Sequence, residues 1–398
     1  MSEHISKRIQ NLSESQTIAM AEKSRELKAQ GIDIISLSLG EPDFDTPDFI
    51  KDAAIEAIQN NYTHYPPVPG YLEVREAIAK KFKRDNNLDY GPENILISTG
   101  AKQSLMNVVL SLVNPGEEIL LPAPYWVSYS AMAEVAEAKA VIIPTTIDSD
   151  FKITPKQLEE NITDNTRLMI FSSPCNPSGS VYTIEELEAL AEVAAKKKDF
   201  YIISDEIYEH INFSGNHASL GTIDAIKDRV ITVNGVAKGF AMTGWRLGYI
   251  GAPSWIVKAA SKMQGQFTSG ANTIAQMAAK AAVEADPSVT NEMKETFLKR
   301  RDLILSELGK IEGLKLNIPL GAFYVFPNVS GFYGKSYGKY KIESGSDVSM
   351  YLLDEAKVAT VTGAAFGNPH CIRLSYATSD EVLLDACNRI KNALEKLK

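Results

Sequence analysis

The feature that most constrains this chain is a unit that recurs from Asp48 to about residue 288: a short apolar run, a turn of small or polar residues, then an amphipathic stretch. Ile95-Leu96-Ile97-Ser98 leads into a helix starting near Gly100, and Glu118-Ile119-Leu120-Leu121 leads into Pro122-Ala123-Pro124-Tyr125-Trp126. Arg167 to Phe171 precedes a helix from about Thr183 to Lys198, and the runs Phe200 to Ser204 and Arg229 to Val233 follow. Short continuous apolar runs bounded by turn residues read as strands buried on both faces, and strands that alternate with helices pair in parallel. The expected fold class is α/β, with a mostly parallel sheet between helices.

A chain of 398 residues leaves room for a second domain. The last hundred residues change character: a long charged helix from about Val289 to Leu308, short strands, and a helix to the C-terminus. They read as a smaller α+β domain. Near the start, Ser15 to Gln30 has helical spacing ended by Gly31, and Ile32 to Leu39 reads as a strand. The expected division is a segment 1–47 packing with the small domain, a large domain 48–288 and a small domain 289–398. Gly331 to Lys341 reads as an exposed loop.

Bulk properties exclude several function classes. A net charge of -9 argues against a nucleic-acid footprint. Met1 to Gln30 is polar and no run of about 18 apolar residues occurs, so neither a signal peptide nor a spanning helix is expected. Three cysteines without metal-binding spacing fit a reducing compartment, and the expected location is cytoplasmic. The five histidines form no ligand pattern, so no metal site is expected.

In open parallel sheets ligands bind beyond the carboxyl ends of the strands, so the turns there read as a set. After Val233 comes Asn234-Gly235-Val236-Ala237-Lys238, with Arg246 eight positions beyond the lysine. A lone lysine is by default a surface residue. Desolvated at a strand end it becomes a nucleophilic amine, and the arginine is a bidentate phosphate clamp. Thr99-Gly100-Ala101-Lys102 opens a helix with small residues, a seat for phosphate on free N–H groups. Pro174-Cys175-Asn176-Pro177 fixes an asparagine, which alone is an ordinary turn. Asp205 followed by Tyr208 could equally be a helix cap and a packing aromatic. Trp126 is by default packing, and otherwise a flat face for a ring. Together these turns hold an amine for an aldehyde, an anion for a pyridine nitrogen, donors for a phenolate, a phosphate seat and a stacking face. That set is what pyridoxal phosphate chemistry requires.

Over essentially its whole length the sequence resembles the class I aminotransferases of pyridoxal phosphate fold type I, most closely their bacterial aspartate branch. The resemblance is carried by Ser36-Leu37-Ser38-Leu39-Gly40-Glu41-Pro42-Asp43, Tyr65-Pro66-Pro67-Val68-Pro69-Gly70, Pro122 to Trp126, Asn176-Pro177-Ser178-Gly179, Asp205-Glu206-Ile207-Tyr208, the lysine segment and Arg373-Leu374-Ser375-Tyr376-Ala377, in family order. It implies that Lys238 is the Schiff-base lysine and proton shuttle and that Asp205 pairs with the pyridinium nitrogen. Tyr208 and Asn176 would donate to the phenolate oxygen, and Trp126 would stack on the ring. Gly100, Ala101, Lys102 and Arg246 would hold the phosphate, with Tyr65 reaching it from the other subunit of a homodimer. Arg373 would clamp the substrate α-carboxylate beside the Gly40 backbone, and Thr17 would contact substrate. Trp126 and Asn176 would also border it.

The expected reaction moves the amino group of an L-amino acid, foremost aspartate, to 2-oxoglutarate. An aminotransferase for aromatic or other amino acids, or a C–S lyase on the same fold, are the alternatives. The lyase would release pyruvate without a keto-acid acceptor. A regulator on this fold would carry a DNA-binding extension, for which Met1 to Gly31 is too short and not basic enough. Ala237 replaces the hydroxyl residue common before the lysine. Parts of the branch place a basic side chain on the helix after the phosphate seat to read a distal carboxylate, where this chain has Asn107-Val108-Val109-Leu110. Members acting on prephenate carry a basic residue near Ser13, which this chain lacks. Lys335, Lys339 and Lys341 are alternative candidates for the distal carboxylate.

Overall fold

The apolar runs pair as a seven-stranded sheet in a computed structural model that describes residues 4–12, 15–215 and 217–398. Its strands are β1 (Ile95–Ser98), β2 (Glu118–Pro122), β3 (Lys139–Ile143), β4 (Thr166–Ser172), β5 (Tyr201–Asp205), β6 (Val230–Gly235) and β7 (Gly248–Gly251). They lie in the order β1-β7-β6-β5-β4-β2-β3. Every neighbouring pair is parallel except the two made by β7, which runs antiparallel to both β6 and β1. All residues of β1, β2, β5, β6 and β7 are buried, as a sheet covered on both faces requires. The helices start on local signals. Thr183 accepts from the Glu186 amide while Glu186 reaches back to the Thr183 amide, a capping box that opens Ile184–Ala195.

A hydrophobic core around Leu105, Tyr129 and Ile256 covers one face of the sheet, and two, around Leu187, Leu190 and Phe200 and around Val74, Ile97 and Tyr249, cover the other. Another core joins Phe297, Phe323, Tyr351, Leu374 and Ile390 to Ile35 and Leu37 from the chain's beginning, and takes in Ile207, Tyr208 and Ile211. The expected strand Ile32 to Leu39 shrinks to Ile35–Ser36, paired in parallel with Val358–Ala359. Ser375–Tyr324 and Val361–Arg373 pairings build a small antiparallel sheet beside it.

Within Gly331 to Lys341, Ser336–Tyr337 and Tyr340–Lys341 pair as a short hairpin. Its lysines do not reach any shared cavity: Lys335 lies over Phe332, Lys339 is 3.7 Å from Asp354 and Lys341 is 2.5 Å from Glu343. The expectation that they read a distal carboxylate is therefore corrected for this chain's own site. The hairpin is anchored on the C-terminus, through Ser336 and Lys398, and acidic partners close by already neutralise the ammonium groups of Lys339 and Lys341.

Behind the end of β5 the side chains split between two faces. Asp205 turns toward a cavity, whereas Glu206 turns into a buried polar network. Glu206 accepts from Ser204 (2.9 Å), Ser219 (2.7 Å) and Asn86 (3.1 Å), and lies 2.8 Å from His217 Nε2. Glu209 takes the Lys81 ammonium and Asn86 Nδ2. Burial alone would raise the Glu209 carboxyl, but Lys81 and the two histidines hold it down at about 2. Glu206, Glu209 and His217 each bring an atom that could bind a metal into one small space, but the Lys81 ammonium already supplies the cation there.

Burial draws the His217 imidazole down, and the adjacent Glu206 carboxylate more than reverses it, leaving it raised above its ordinary value. A histidine raised in the folded state stabilises it fully below the unfolded pKa of about 6.5, and loses that contribution as pH rises through the higher folded value. The thermal midpoint is accordingly expected to fall as pH climbs above about 6.5, and His217→Gln to flatten that slope. Equal slopes for the two proteins in a melting series would refute the linkage. Among the described residues, no helix is long and apolar enough to cross a membrane.

Candidate active site

β5 and β6 lie side by side with Asp205 opposite Val233, so the turns that leave them open at one edge of the sheet. Lys238, Asp205, Tyr208, Asn176, Trp126 and Arg246 converge there on a cavity of about 460 Å³, joined by Ala101, Lys102, Gly40, Thr17 and Arg373. A larger hollow of about 780 Å³, between Arg84, Glu185, His210 and His217, contains none of the expected residues. The expected residues meet in the smaller one.

The Lys238 ammonium donates to the Gly40 carbonyl. Burial lowers its pKa to about 8, with the positive charges of Arg373 and Arg246 acting in the same direction and Glu41 and Asp205 opposing. A free amine is thus accessible close to neutral pH. Asp205 moves the other way, raised to about 6 by burial. Two donors hold its carboxylate: Tyr129 Oη at 2.7 Å and the Ile207 amide at 3.2 Å.

The residues expected to seat a phosphate lie together at one helix start. Gly100 caps the helix Ala101–Leu112 with φ +83°, and a Cβ there would come 2.6 Å from an Arg246 guanidinium nitrogen. Only glycine lets the arginine lie against that first turn. The Arg246 guanidinium is oriented by a 2.9 Å bond to the Thr243 carbonyl. Gln103 and Ser104 turn their amides back on the Gly100 carbonyl, while the first-turn amides of Ala101 and Lys102 make no hydrogen bond among the described residues. Two N–H groups, a guanidinium and a helix N-terminus make a site for a dianion.

Opposite this seat, Arg373 is buried, with 1% exposure. It donates to Asn176 Oδ1 (2.9 Å) and to the Ser38 carbonyl (2.6 Å), and its Nε is buried without a partner. Arginine only donates, so it holds the Asn176 oxygen and leaves the amide nitrogen free to donate elsewhere. Such an arginine, fixed on one edge, is prepared for a carboxylate on the other.

The Trp126 ring meets Tyr129 edge-on at 5.6 Å, and Lys102 Nζ lies 5.0 Å from the Trp126 centroid. The helix positions Asn107, Val108 and Val109 are buried, and Asn107 is bonded to Gln264, so this stretch faces the core. The cavity is reached from that helix by Lys102, one turn earlier. Tyr65 is 96% exposed and lies outside its own chain's cavity. Ser13 lies outside the described residues. Sequence reasoning missed Tyr129 and Tyr324, which both line the cavity. Tyr129 carried a faint signal, three positions after Trp126 on a helical turn; Tyr324 carried none.

A family model described as aminotransferase class I and II matches residues 32–390. The chain is 46% identical over 399 residues to a Petunia hybrida bifunctional aspartate aminotransferase and glutamate/aspartate-prephenate aminotransferase, covering 99% of this chain and 83% of that one. It is 45% identical to an aspartate/prephenate aminotransferase of Nitrosomonas europaea, covering 98% and 99%. Its fold superposes on the crystal structure of the aspartate aminotransferase from Rhizobium meliloti with a TM-score of 0.96 at 38% identity, over 100% of both chains. The Thermus thermophilus aspartate aminotransferase with maleate gives 0.92 at 39% identity, over 98% of this chain and 100% of that one.

Proposed function

Because this chain belongs to the aminotransferase class I and II family, we propose that it transfers the amino group of L-aspartate to 2-oxoglutarate, using pyridoxal phosphate. The observation that carries this reading is the convergence of Lys238, Asp205, the Gly100–Arg246 seat and Arg373 on one cavity. The residues fit that cofactor. The seat accepts a dianion, the Asp205 carboxylate at the far side matches a protonated ring nitrogen, and the orphaned Arg373 Nε awaits a carboxylate. When bound, the cofactor supplies an aldehyde for amine condensation and a ring that takes up electron density from the substrate Cα.

The protein's own groups do the rest. Lys238, with its pKa brought down to about 8 so that a fraction is free amine near neutral pH, would take the proton from the substrate Cα and later return one. Asp205, held by Tyr129 and the Ile207 amide, keeps its charge beside the ring nitrogen. Tyr208 and Asn176 would donate to the phenolic oxygen, Trp126 would cover a ring face, and Arg373 would hold the α-carboxylate. Lys102 projects over Trp126 and is the cation available to a second carboxylate, with Thr17, whose hydroxyl is buried without a partner, across the cavity. Replacing Lys102 by alanine is expected to raise KM for aspartate and 2-oxoglutarate by roughly 10- to 100-fold, the value of one charged hydrogen bond. Alanine as amino donor should be unaffected. Steady-state kinetics with both donors checks this, and an equal loss on both would remove Lys102 from that role.

We place the enzyme in the cytoplasm as a homodimer. Its three cysteines are free and buried. Exposed Tyr65, Ile55, Ile58, Leu72 and Phe267 offer apolar surface for a second copy, which would bring Tyr65 to the neighbouring phosphate seat. The deciding experiment adds L-aspartate to the cofactor-loaded protein and follows its visible band. Conversion to the amine form, reversed by 2-oxoglutarate, supports the reading. No spectral change sinks the aspartate assignment, and pyruvate release would favour a lyase. Prephenate belongs in the acceptor panel, since relatives are named for it.

A further inference from the structure

Tyr324 is completely buried, borders the cavity and touches three of its working residues. Its hydroxyl lies 2.8 Å from the hydroxyl of Tyr208. Its ring lies under the Arg373 guanidinium, whose central carbon is 4.5 Å from the ring centroid. At Gly40, whose carbonyl accepts the Lys238 ammonium, a Cβ would come 2.4 Å from the Tyr324 oxygen. These contacts follow from register. Tyr324 pairs with Ser375 on the neighbouring strand, two positions from Arg373, so both side chains leave the same face as diagonal neighbours.

Proton counting gives the contact its meaning. A phenol has one proton to donate and lone pairs that accept. Two hydroxyls 2.8 Å apart therefore share one hydrogen bond, with one donor and one acceptor. If Tyr208 donated to Tyr324, its only proton would be spent inside the protein. If Tyr324 donates, the Tyr208 proton is free to point into the cavity, and the donation polarises it. The hydroxyl of Tyr324 has no other acceptor among the described residues.

We infer that Tyr324 is a positioning residue joining the two ends of the site: its hydroxyl directs the Tyr208 proton into the cavity, and its ring fixes the plane of the Arg373 guanidinium. The inference rests on the reading that Tyr208 faces the phenolic oxygen of the cofactor and Arg373 the substrate carboxylate. The two contacts are made by different parts of one side chain, so two substitutions separate them. Tyr324→Phe keeps the ring and removes the proton. Tyr324→Leu removes both.

Two readouts test it in the cofactor-loaded enzyme: the pH midpoint of the visible absorbance band, and the affinity for maleate as an unreactive dicarboxylate. Tyr324→Phe is expected to raise the midpoint by roughly 0.4 to 1 unit, the value of one net hydrogen bond, with maleate affinity within about threefold of wild type. Tyr324→Leu is expected to raise the midpoint likewise and also to weaken maleate roughly 3- to 30-fold, the loss of a cation–π contact. A Tyr324→Phe midpoint equal to that of wild type overturns the inference, and this variant, which keeps the volume, decides alone if the leucine protein does not fold. Equal maleate affinity in the two variants overturns the ring's part. A wild-type protein with no titrating band or no maleate affinity would sink the parent reading, a result distinct from either.

Discussion

Replacing Lys238 by alanine is expected to reduce kcat for transamination by at least about four orders of magnitude, the upper end of what one positioned proton-transfer group contributes. The loss is large because, in the proposed reaction, the residue works twice, as the amine that holds the cofactor and as the base at the substrate Cα. Among the described residues no other amine is placed to replace it: the Lys102 ammonium lies over Trp126, and Arg246 and Arg373 do not deprotonate. Fold stability should not fall. Burial depresses the Lys238 pKa, so below about 8 the folded state carries a penalty that alanine removes. The check is single-turnover kinetics beside a melting curve. Activity within tenfold of wild type would remove Lys238 from the chemistry, whereas a large drop in melting temperature would mark it as structural.

Arg373→Lys is the second large effect. Lysine keeps the charge but cannot bond the Asn176 oxygen, the Ser38 carbonyl and a substrate carboxylate in one plane. Breaking a buried, hydrogen-bonded charge pair costs on the order of 2 to 5 kcal/mol. The expected loss in kcat/KM for aspartate is therefore roughly 30-fold to several thousand-fold. Most of it should fall on KM, with a smaller loss in kcat because Asn176 loses the partner that orients its amide. Unchanged KM for aspartate would reassign the carboxylate clamp.

The elements most legible in the sequence were those whose information is local. β-branched runs ending in small or polar residues marked β1, β2, β4, β5 and β6, and the turns after them carried Lys238, Asp205 and Asn176 to one sheet edge. β7 was not legible as a strand, since Gly248-Tyr249-Ile250-Gly251 is short and bounded by glycines, and its antiparallel direction depends on the neighbours it inserts between. The strand expected over Ile32 to Leu39 was too long, because its partner Val358–Ala359 offers only two residues of pairing. Lys102 was read as part of the phosphate seat alone. Which way its side chain leaves the helix is settled by Trp126, which arrives from a different strand. Tyr324 was silent for the same reason: its meaning lies in Tyr208 and Arg373, 116 and 49 positions away (324 − 208 and 373 − 324).

The pairing of the chain's beginning with its end has a consequence for the order in which the molecule is made. The Leu37 carbonyl accepts the Ser375 amide at 2.8 Å, Ser38 accepts from Arg373, and Ile35 lies beside Val358. In order of synthesis, residues 35–38 have no strand to join until residues 358–375 have followed. By then the strands bearing the phosphate seat, Asp205 and Lys238 have all been synthesised. A nascent chain therefore holds the residues proposed to grip the cofactor well before it holds the arginine proposed to grip the substrate. On that proposal, closing residues 35–38 onto residues 358–375 is what turns a coenzyme-binding scaffold into a site with somewhere to put an amino acid.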